Sequence, residues 1–251
     1  MSDSFNVVNF ASADERERRK GMTRLIEQCP IPAEERMDNM GLFLSSKTWA
    51  RLKFMDFIYQ KIVEIPGVVM EFGTRWGQNI ATFAALRGIY EPFHRHRKII
   101  AFDTFAGFPH TANQDGDGGI MRQGGYAVTE GYRNYLTKIM EFHEAENPLG
   151  HIRKFELVQG DVCETLPAYL EKHTETIVAL AYFDLDLYAP TKKCLELLKP
   201  RLTKGSVLGF DELNEHATPG ETLAVMEALG LGNIALRRLP YTSRATYCVI
   251  E

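Results

Sequence analysis

The sequence lacks the features that define several large classes of protein. Its longest apolar run, residues 177–183, has seven residues, far short of the roughly 20 that a membrane-spanning helix needs. Its four cysteines form no CxxC pair, whereas zinc sites usually draw on such closely spaced ligands. Lys and Arg total 29 against 33 Asp and Glu, without a basic block. These absences argue against a membrane protein, a zinc protein and a non-specific nucleic-acid binder.

An export signal is also missing from the first residues. The segment MSDSFNVVNFASADERERRK contains neither a basic n-region nor an apolar h-region, so we expect a cytoplasmic protein. The four cysteines are then expected to be reduced. Charged residues make up 25% and hydrophobic residues 45% of the 251 residues, as in an ordinary globular protein.

The first part of the chain is predicted to be helical. Polar residues 14–28 carry a thin apolar stripe, and residues 47–65 place Leu52, Met55, Ile58 and Ile62 on one face. The dipeptide at 66–67 is Pro-Gly, which ends a helix. We therefore divide the chain into an N-terminal helical extension, residues 1–66, and a main domain, residues 67–251. The extension is expected to cover a substrate site or to form an interface in a homo-oligomer.

The main domain alternates between short β-rich runs and helical segments. We predict a doubly wound, mostly parallel α/β sheet of seven strands, whose last strand is antiparallel. The predicted strands are residues 68–72, 98–103, 154–159, 176–184, 205–211, 234–239 and 245–250. The predicted helices between them are residues 79–89, 190–199 and 220–229. Residues 110–132 hold six glycines and few apolar residues, and they are predicted to form a mobile lid.

At least one carboxylate stands at the carboxyl end of each of the five predicted parallel strands. Ligands of such sheets bind outside the carboxyl ends of the strands, so these residues are expected to share one rim. They are Glu71, Asp103, Asp161, Asp184 with Asp186, and Asp211 with Glu212.

The turn after the first strand discriminates between cofactors. A dinucleotide fold requires G-x-G-x-x-G, but this chain has Arg75 where the middle glycine would stand. An NAD-dependent oxidoreductase is thus a weaker alternative. The pattern E-x-G-x-x-x-G, formed by Glu71, Gly73 and Gly77, instead resembles motif I of class I S-adenosylmethionine-dependent methyltransferases.

That resemblance implies roles for the residues at the first three strand ends. Gly73 would let the backbone approach the methionine moiety, and Glu71 would hold its ammonium group. Asp103 would bind the ribose hydroxyls, and Asp161 with Val162 would bind the adenine. The full predicted cofactor set is Glu71, Gly73, Thr74, Arg75, Gly77, Asp103, Thr104, Asp161 and Val162.

The fourth and fifth strand ends suggest the chemistry. Asp184, Asp211 and Glu212 form a hard-oxygen set suited to a divalent cation, Mg²⁺ or Ca²⁺. Such an ion would lower the pKa of an acceptor hydroxyl. Asp184 or Asp186 would then remove the proton as general base.

Longer motifs resemble the macrocin (TylF-type) sugar O-methyltransferases of natural-product pathways. The resemblance covers roughly residues 68–215 and rests on the motif I turn, on residues 101–109 (AFDTFAGFP), on residues 183–191 (FDLDLYAPT) and on residues 205–212 (GSVLGFDE). It implies a methyltransferase that uses S-adenosylmethionine and a divalent metal held by Asp184, Asp211 and Glu212. The acceptor would be a deoxysugar, nucleotide-linked, in antibiotic biosynthesis; a catechol-like phenol is the alternative.

Three further side chains are assigned provisional places. Tyr188 is expected to line the acceptor pocket or to pack beneath the fourth strand's loop. His216 would be a second base or an ordinary loop residue. Trp76 is expected in the core.

Overall fold

The computed structural model describes residues 12–117 and 119–251. Its helices are α1 Ala13–Glu27, α2 Ala33–Arg36, α3 Ser46–Gln60, α4 Gln78–Tyr90, α5 Tyr132–Ala145, α6 Val162–Lys172, α7 Tyr188–Leu198 and α8 Gly220–Leu229. Its strands are β1 Val68–Phe72, β2 Ile99–Asp103, β3 Phe155–Gln159, β4 Val178–Phe183, β5 Leu202–Phe210, β6 Arg237–Arg238 and β7 Thr246–Val249. The first 11 residues of the predicted extension lie outside the described residues.

The seven strands form one sheet in the order β3-β2-β1-β4-β5-β7-β6. Strands β1 to β5 run parallel, and β7 lies antiparallel to β5 and to β6. This confirms the predicted doubly wound, mostly parallel sheet with an antiparallel end. Because the order of the strands reverses between β1 and β4, the loops that follow these two strands lead to opposite sides of the sheet and leave a crevice between them.

A row of phenylalanines sets the register at the carboxyl edge. Phe72 is paired in register with Phe102 and with Phe183, and Phe183 is paired with Phe210. Their rings stack across β2, β1, β4 and β5 at centroid distances of 5.0–5.3 Å. The row brings the residues that follow these phenylalanines, among them three aspartates, level with one another.

Both faces of the sheet are covered. Strand β4 is buried along its whole length, as expected of a central parallel strand between two layers of helices. Helix α3 packs on one face through Phe54, Met55, Ile58 and Tyr59. Helices α1 and α2 bury no residue. The part of the N-terminal extension that the structure describes, residues 12–66, therefore has one α-helix in the core and two outside it.

Several element boundaries differ from the sequence-based predictions. Helix α3 ends at Gln60, five residues before the predicted end, and a turn follows. Strand β6 has only two residues where residues 234–239 were predicted, because only Arg237 and Arg238 pair with β7. The sequence reading did not assign α5 or α6; Pro167 inside α6 breaks the usual helical signal.

No helix of the described chain has the length and apolarity needed to cross a membrane.

The glycine-rich segment packs against the domain at Asp115. This buried side chain accepts hydrogen bonds from the backbone N–H of Ala112 at 2.6 Å and of Tyr188, the first residue of α7, at 2.7 Å. The segment is thus tethered beside the carboxyl edge of β4. Its mobility stays a prediction.

Candidate active site

A cavity of about 400 Å³ opens at the carboxyl edge of the sheet. Loops after all five parallel strands contribute to its wall, as does the N-terminal part of α3. The predicted site residues that line it are Gly73, Thr74, Arg75, Gly77, Asp103, Thr104, Asp161, Val162, Asp184, Asp186, Asp211 and Glu212. The fold thus brings together one rim of residues that are far apart in sequence.

Close approach of two backbones requires a glycine at position 73. Gly73 has a φ of +88°, and a Cβ there would lie 1.9 Å from the carbonyl oxygen of Asp184. Gly77, also at positive φ, stands at the start of α4. Together they bring the backbone of the β1–α4 turn to the cavity wall, and the contact of this backbone with the methionine moiety stays a prediction.

The carboxylate of Asp103 is oriented by backbone donors. It accepts hydrogen bonds from the N–H groups of Arg75 at 2.7 Å and Phe105 at 2.6 Å. Burial raises the pKa of Asp103, while these donors oppose the rise. Asp161 lies at the start of α6, where it caps the helix by accepting from the N–H of Cys163 at 2.8 Å.

Glu71 lies beneath the cavity and does not line it. The residue is fully buried, and neither carboxylate oxygen has a hydrogen-bond partner among the described residues. Burial first, and then the charge of Asp184, raise the pKa of Glu71 to about 8. A cationic group brought close to this carboxyl would favour its ionised form. The predicted contact with the ammonium group of the cofactor stays a prediction.

Arg51 bridges the two aspartates that follow β4 and β5. Its guanidinium donates to Asp184 Oδ2 and to Asp211 Oδ1, both at 2.7 Å, and its Nε donates to Asn79 Oδ1 at 3.0 Å. The hydroxyl of Tyr182 donates to the same oxygen of Asp211 at 2.8 Å. Helix α3 therefore supplies the cation that neutralises the acidic strand ends.

Burial, reinforced by Asp211, raises the pKa of Asp184, and Arg51 opposes that rise. Asp186 is more deeply buried, and burial together with Glu212 raises its pKa well above the ordinary value. Asp186 also adopts a positive φ of 60°. Arg75 and Tyr126, which line the same cavity, have φ values of 47° and 59°. Backbone strain of this kind concentrates at functional sites.

Glu212 has two partners of its own. Its Oε1 accepts from the hydroxyl of Thr218 at 2.5 Å, and its Oε2 is paired with Arg244 at 2.8 Å. Arg244 also contacts Glu215 at 3.4 Å and approaches Asp211 Oδ2 at 4.0 Å. A second cation thus stands on the far side of the acidic group.

The three predicted metal ligands form ion pairs with these two arginines. Residues 12–117 and 119–251 contain no group of three or more His, Cys, Asp or Glu side chains arranged to hold a metal ion. The chemistry of the donor set nevertheless fits, because carboxylate oxygens from two strand ends converge on one cation. In this structure that cation is the guanidinium of Arg51.

The opposite wall is formed by the glycine-rich segment. The guanidinium of Arg75 lies 4.8 Å from the ring centroid of Tyr126, which contacts Phe108 edge-on at 5.4 Å. The hydroxyl of Thr104 donates to the carbonyl oxygen of Gly107 at 2.7 Å, in the turn that precedes the segment. These contacts bring the segment to the end of the cavity that the β1–α4 turn lines.

Three provisional assignments fall elsewhere. The hydroxyl of Tyr188 donates to Glu227 at 2.6 Å on α8, and Tyr188 does not line the cavity. His216 is exposed on a loop and does not line the cavity either. The expectation that Trp76 is a core residue is wrong: it is 38% exposed and lines the cavity, with its ring edge-on to Tyr132.

Residue-by-residue reasoning missed the basic side chains of the site. Lys47, Arg51 and Arg244 all line the cavity, and none belongs to a recognised motif. One signal for Arg51 was present. It lies four residues before Met55 on α3 and therefore on the buried face of that helix, where a charged residue is unusual.

Comparison with known proteins gives a consistent result. The profile of the family described as macrocin-O-methyltransferase (TylF) matches residues 44–226. The crystal structure of CalS11, calicheamicin methyltransferase, is 44% identical, covers 99% of both chains and has a TM-score of 0.93. The apo structure of CalS11, described as a TDP-rhamnose 3′-O-methyltransferase of calicheamicin biosynthesis, is 41% identical over 96% of both chains, with a TM-score of 0.85.

A more distant structure shares the fold. That of the O-methyltransferase NovP is 20% identical, covers 80% of this chain and 79% of its own, and has a TM-score of 0.60. The search of curated proteins found no match.

Proposed function

The chain belongs to the macrocin-O-methyltransferase (TylF) family, and we propose that this S-adenosylmethionine-dependent O-methyltransferase acts on a hydroxyl of a nucleotide-linked deoxysugar in antibiotic biosynthesis. The substrate class rests on CalS11, whose described substrate is TDP-rhamnose. The acidic group opposite the cofactor end of the cavity supports an acceptor that must lose a proton. The family match decides against the NAD-dependent oxidoreductase alternative.

The cofactor end would bind S-adenosylmethionine through the predicted residues. Gly73 and Gly77 present backbone at the cavity wall, Asp103 is preoriented by two N–H donors, and Asp161 with Val162 begins α6. When bound, S-adenosylmethionine supplies an electrophilic methyl group. The protein's task is then to hold the acceptor hydroxyl in line with that group and to remove its proton.

Asp184 is our choice for the general base. Its side chain is 27% exposed and lines the cavity, whereas Asp186 is buried. Arg51 binds Oδ2 of Asp184, and no described residue donates a hydrogen bond to Oδ1. One carboxylate oxygen thus remains available for the proton of the acceptor hydroxyl.

A divalent cation is the further component that we propose. Asp184, Asp211 and Glu212 would hold it, and Mg²⁺ suits such oxygen ligands. When bound, the cation would lower the pKa of the acceptor hydroxyl. Arg51 and Arg244 pair with these carboxylates in the structure, which shows that they accept positive charge.

A homo-oligomer is the proposed assembly. Helices α1 and α2 and the turn that follows bury no residue, and several large apolar side chains there are exposed, among them Leu25 at 62% and Leu42 at 68%. Exposed apolar surface of this kind is typical of contact surfaces between proteins.

The decisive experiment measures methyl transfer from labelled S-adenosylmethionine to a panel of acceptors. TDP-rhamnose, free rhamnose and a catechol are offered with and without Mg²⁺. We expect transfer to TDP-rhamnose and none to the catechol. Asp184→Asn should abolish transfer while leaving the affinity for S-adenosylhomocysteine unchanged. Transfer to the catechol alone would overturn the sugar assignment, and full turnover by Asp184→Asn would remove the proposed base.

A further inference from the structure

The side chain of Arg51 binds one carboxylate oxygen of each of two proposed metal ligands, Asp184 and Asp211. Its Nη2 lies 2.7 Å from Asp184 Oδ2, and its Nη1 lies 2.7 Å from Asp211 Oδ1. An oxygen-ligated divalent ion binds at roughly 2.0–2.6 Å. An ion on these oxygens would therefore meet the guanidinium at close range, where like charges repel strongly in a partly buried site.

The position of Arg51 is set by the helix that carries it. Phe54, Met55 and Ile58 are fully buried and hold α3 against the sheet, so the backbone at residue 51 is fixed near the acidic strand ends. The side chain itself is only half-buried, with 32% of its surface exposed. The side chain is therefore held between the two carboxylates, and its exposed part lets it move toward solvent.

The acidic strand ends favour a bound cation. Asp184, Asp211 and Glu212 lie together with the buried Asp186, and buried carboxylates without a partner are costly. Arg244 neutralises the Glu212 side of the group, at 2.8 Å, but stands 4.0 Å from Asp211 Oδ2 and contacts neither Asp184 oxygen. Arg51 is thus the cation that neutralises Asp184.

We propose that Arg51 is an internal substitute for the divalent cation: it holds Asp184 and Asp211 in the metal-free enzyme and leaves them when the ion binds. The proposal rests on the metal site of the proposed function. It makes Arg51 a positioning residue that keeps the carboxylates in place before loading. It also implies that Arg51 weakens the apparent affinity for the metal, since only the fraction of molecules with free carboxylates is competent to bind.

The test is Mn²⁺ binding, measured by the loss of the free-ion signal in electron paramagnetic resonance, for the wild-type protein and for Arg51→Gln. We expect Arg51→Gln to bind Mn²⁺ about tenfold more tightly, which corresponds to a competent fraction of about a tenth in the wild type. Arg51→Lys keeps the charge but not the two-pronged contact, so its affinity should fall between the two. Lys53→Gln, an equal loss of charge at an exposed position of α3, should leave the affinity unchanged.

A second measurement follows Arg51 directly. In ¹⁵N-edited spectra of arginine side chains, the Nε–H signal that is absent from Arg51→Lys belongs to Arg51. Adding Mg²⁺ to the wild type should shift or broaden that signal, because the guanidinium leaves its carboxylates. An unmoved signal at saturating Mg²⁺ would overturn the proposal.

Failure of this proposal is distinguishable from failure of the proposed function. Unchanged or weaker Mn²⁺ binding by Arg51→Gln, with S-adenosylhomocysteine binding intact, would show that Arg51 does not compete with the ion. Absence of Mn²⁺ binding from every variant would overturn both the substitution and the metal site, while sugar methylation in the acceptor assay would still stand. Loss of S-adenosylhomocysteine binding by Arg51→Gln would mark a damaged fold, and the Arg51→Lys and spectroscopic results would then decide.

Discussion

Gly73→Ala should damage both the stability of the protein and its cofactor site. The added Cβ would lie 1.9 Å from the carbonyl oxygen and 2.7 Å from the carbonyl carbon of Asp184. Both obstacles are backbone, so no side chain can move aside. The ends of β1 and β4 must then separate at the point where the β1–α4 turn meets Asp184.

The magnitude has two parts. An alanine at a φ of +88° costs about 1–2 kcal/mol of unfolding free energy. Overpacking typically adds about 1–3 kcal/mol, so the total is about 2–5 kcal/mol. For a chain of this size, each kcal/mol lowers Tm by about 2–4 °C. The affinity for S-adenosylhomocysteine should fall at least about tenfold, equivalent to about 1.4 kcal/mol.

Gly131→Ala is the matched control. Gly131 has a φ of +73°, and a Cβ there meets nothing within 4 Å, so the variant carries the backbone strain without the collision. Thermal unfolding and calorimetric titration of S-adenosylhomocysteine are measured for both variants. If Gly73→Ala matches Gly131→Ala in Tm and binds S-adenosylhomocysteine like the wild type, the collision and the cofactor role of this turn are both refuted.

Four further predictions follow from the same geometry. Asp184→Asn should reduce kcat at least about a hundredfold, the usual contribution of a general base. Tyr188→Phe should keep full activity, because the hydroxyl that it removes contacts Glu227 outside the cavity. Equal losses of activity in the acceptor assay would contradict this site. Glu71 has a folded-state pKa of about 8 against an ordinary value of 4.5, so the folded state binds the extra proton and wild-type stability should fall as pH rises from about 5 to 8. Glu71→Gln should lessen that fall in urea unfolding, and parallel pH curves for the two proteins would show that Glu71 is ionised in the fold. Treatment with EDTA should abolish methyl transfer and added Mg²⁺ should restore it; undiminished turnover in EDTA would count against the metal. Light scattering should give a mass above the 28.5 kDa of one chain, and Leu25→Glu together with Leu42→Glu should lower it, whereas a wild-type monomer would dispose of the oligomer.

Much of the fold was predictable because its signals are local. Strand-helix alternation, Pro66-Gly67 after α3 and the fully apolar β4 predicted the sheet and its approximate boundaries. Helix α6 was not predicted, because Pro167 lies inside it and weakens the helical pattern of its sequence. The length of β6 was overestimated, because it depends on how many residues pair with β7, and only two do.

The sequence by itself determined which residues stand at the carboxyl ends of the strands. At the carboxyl end of the strand, phenylalanine is followed by glycine in β1 and by aspartate in β2, β4 and β5. A parallel sheet necessarily brings such positions to one edge. The motifs around them sufficed to indicate the cofactor and the family. These conclusions needed only neighbours along the chain and the rule that parallel strands share a direction.

Only the tertiary structure decided which charges meet across the site. Arg51 reaches Asp184 over 133 positions and Asp211 over 160 positions of the chain, and Arg244 reaches Glu212 from the loop before β7. No local spacing encodes such contacts, because they depend on the angle at which α3 packs on the sheet and on the burial that makes an unpaired carboxylate costly. The sequence shows an acidic rim, and the packing of α3 provides the cation that neutralises it.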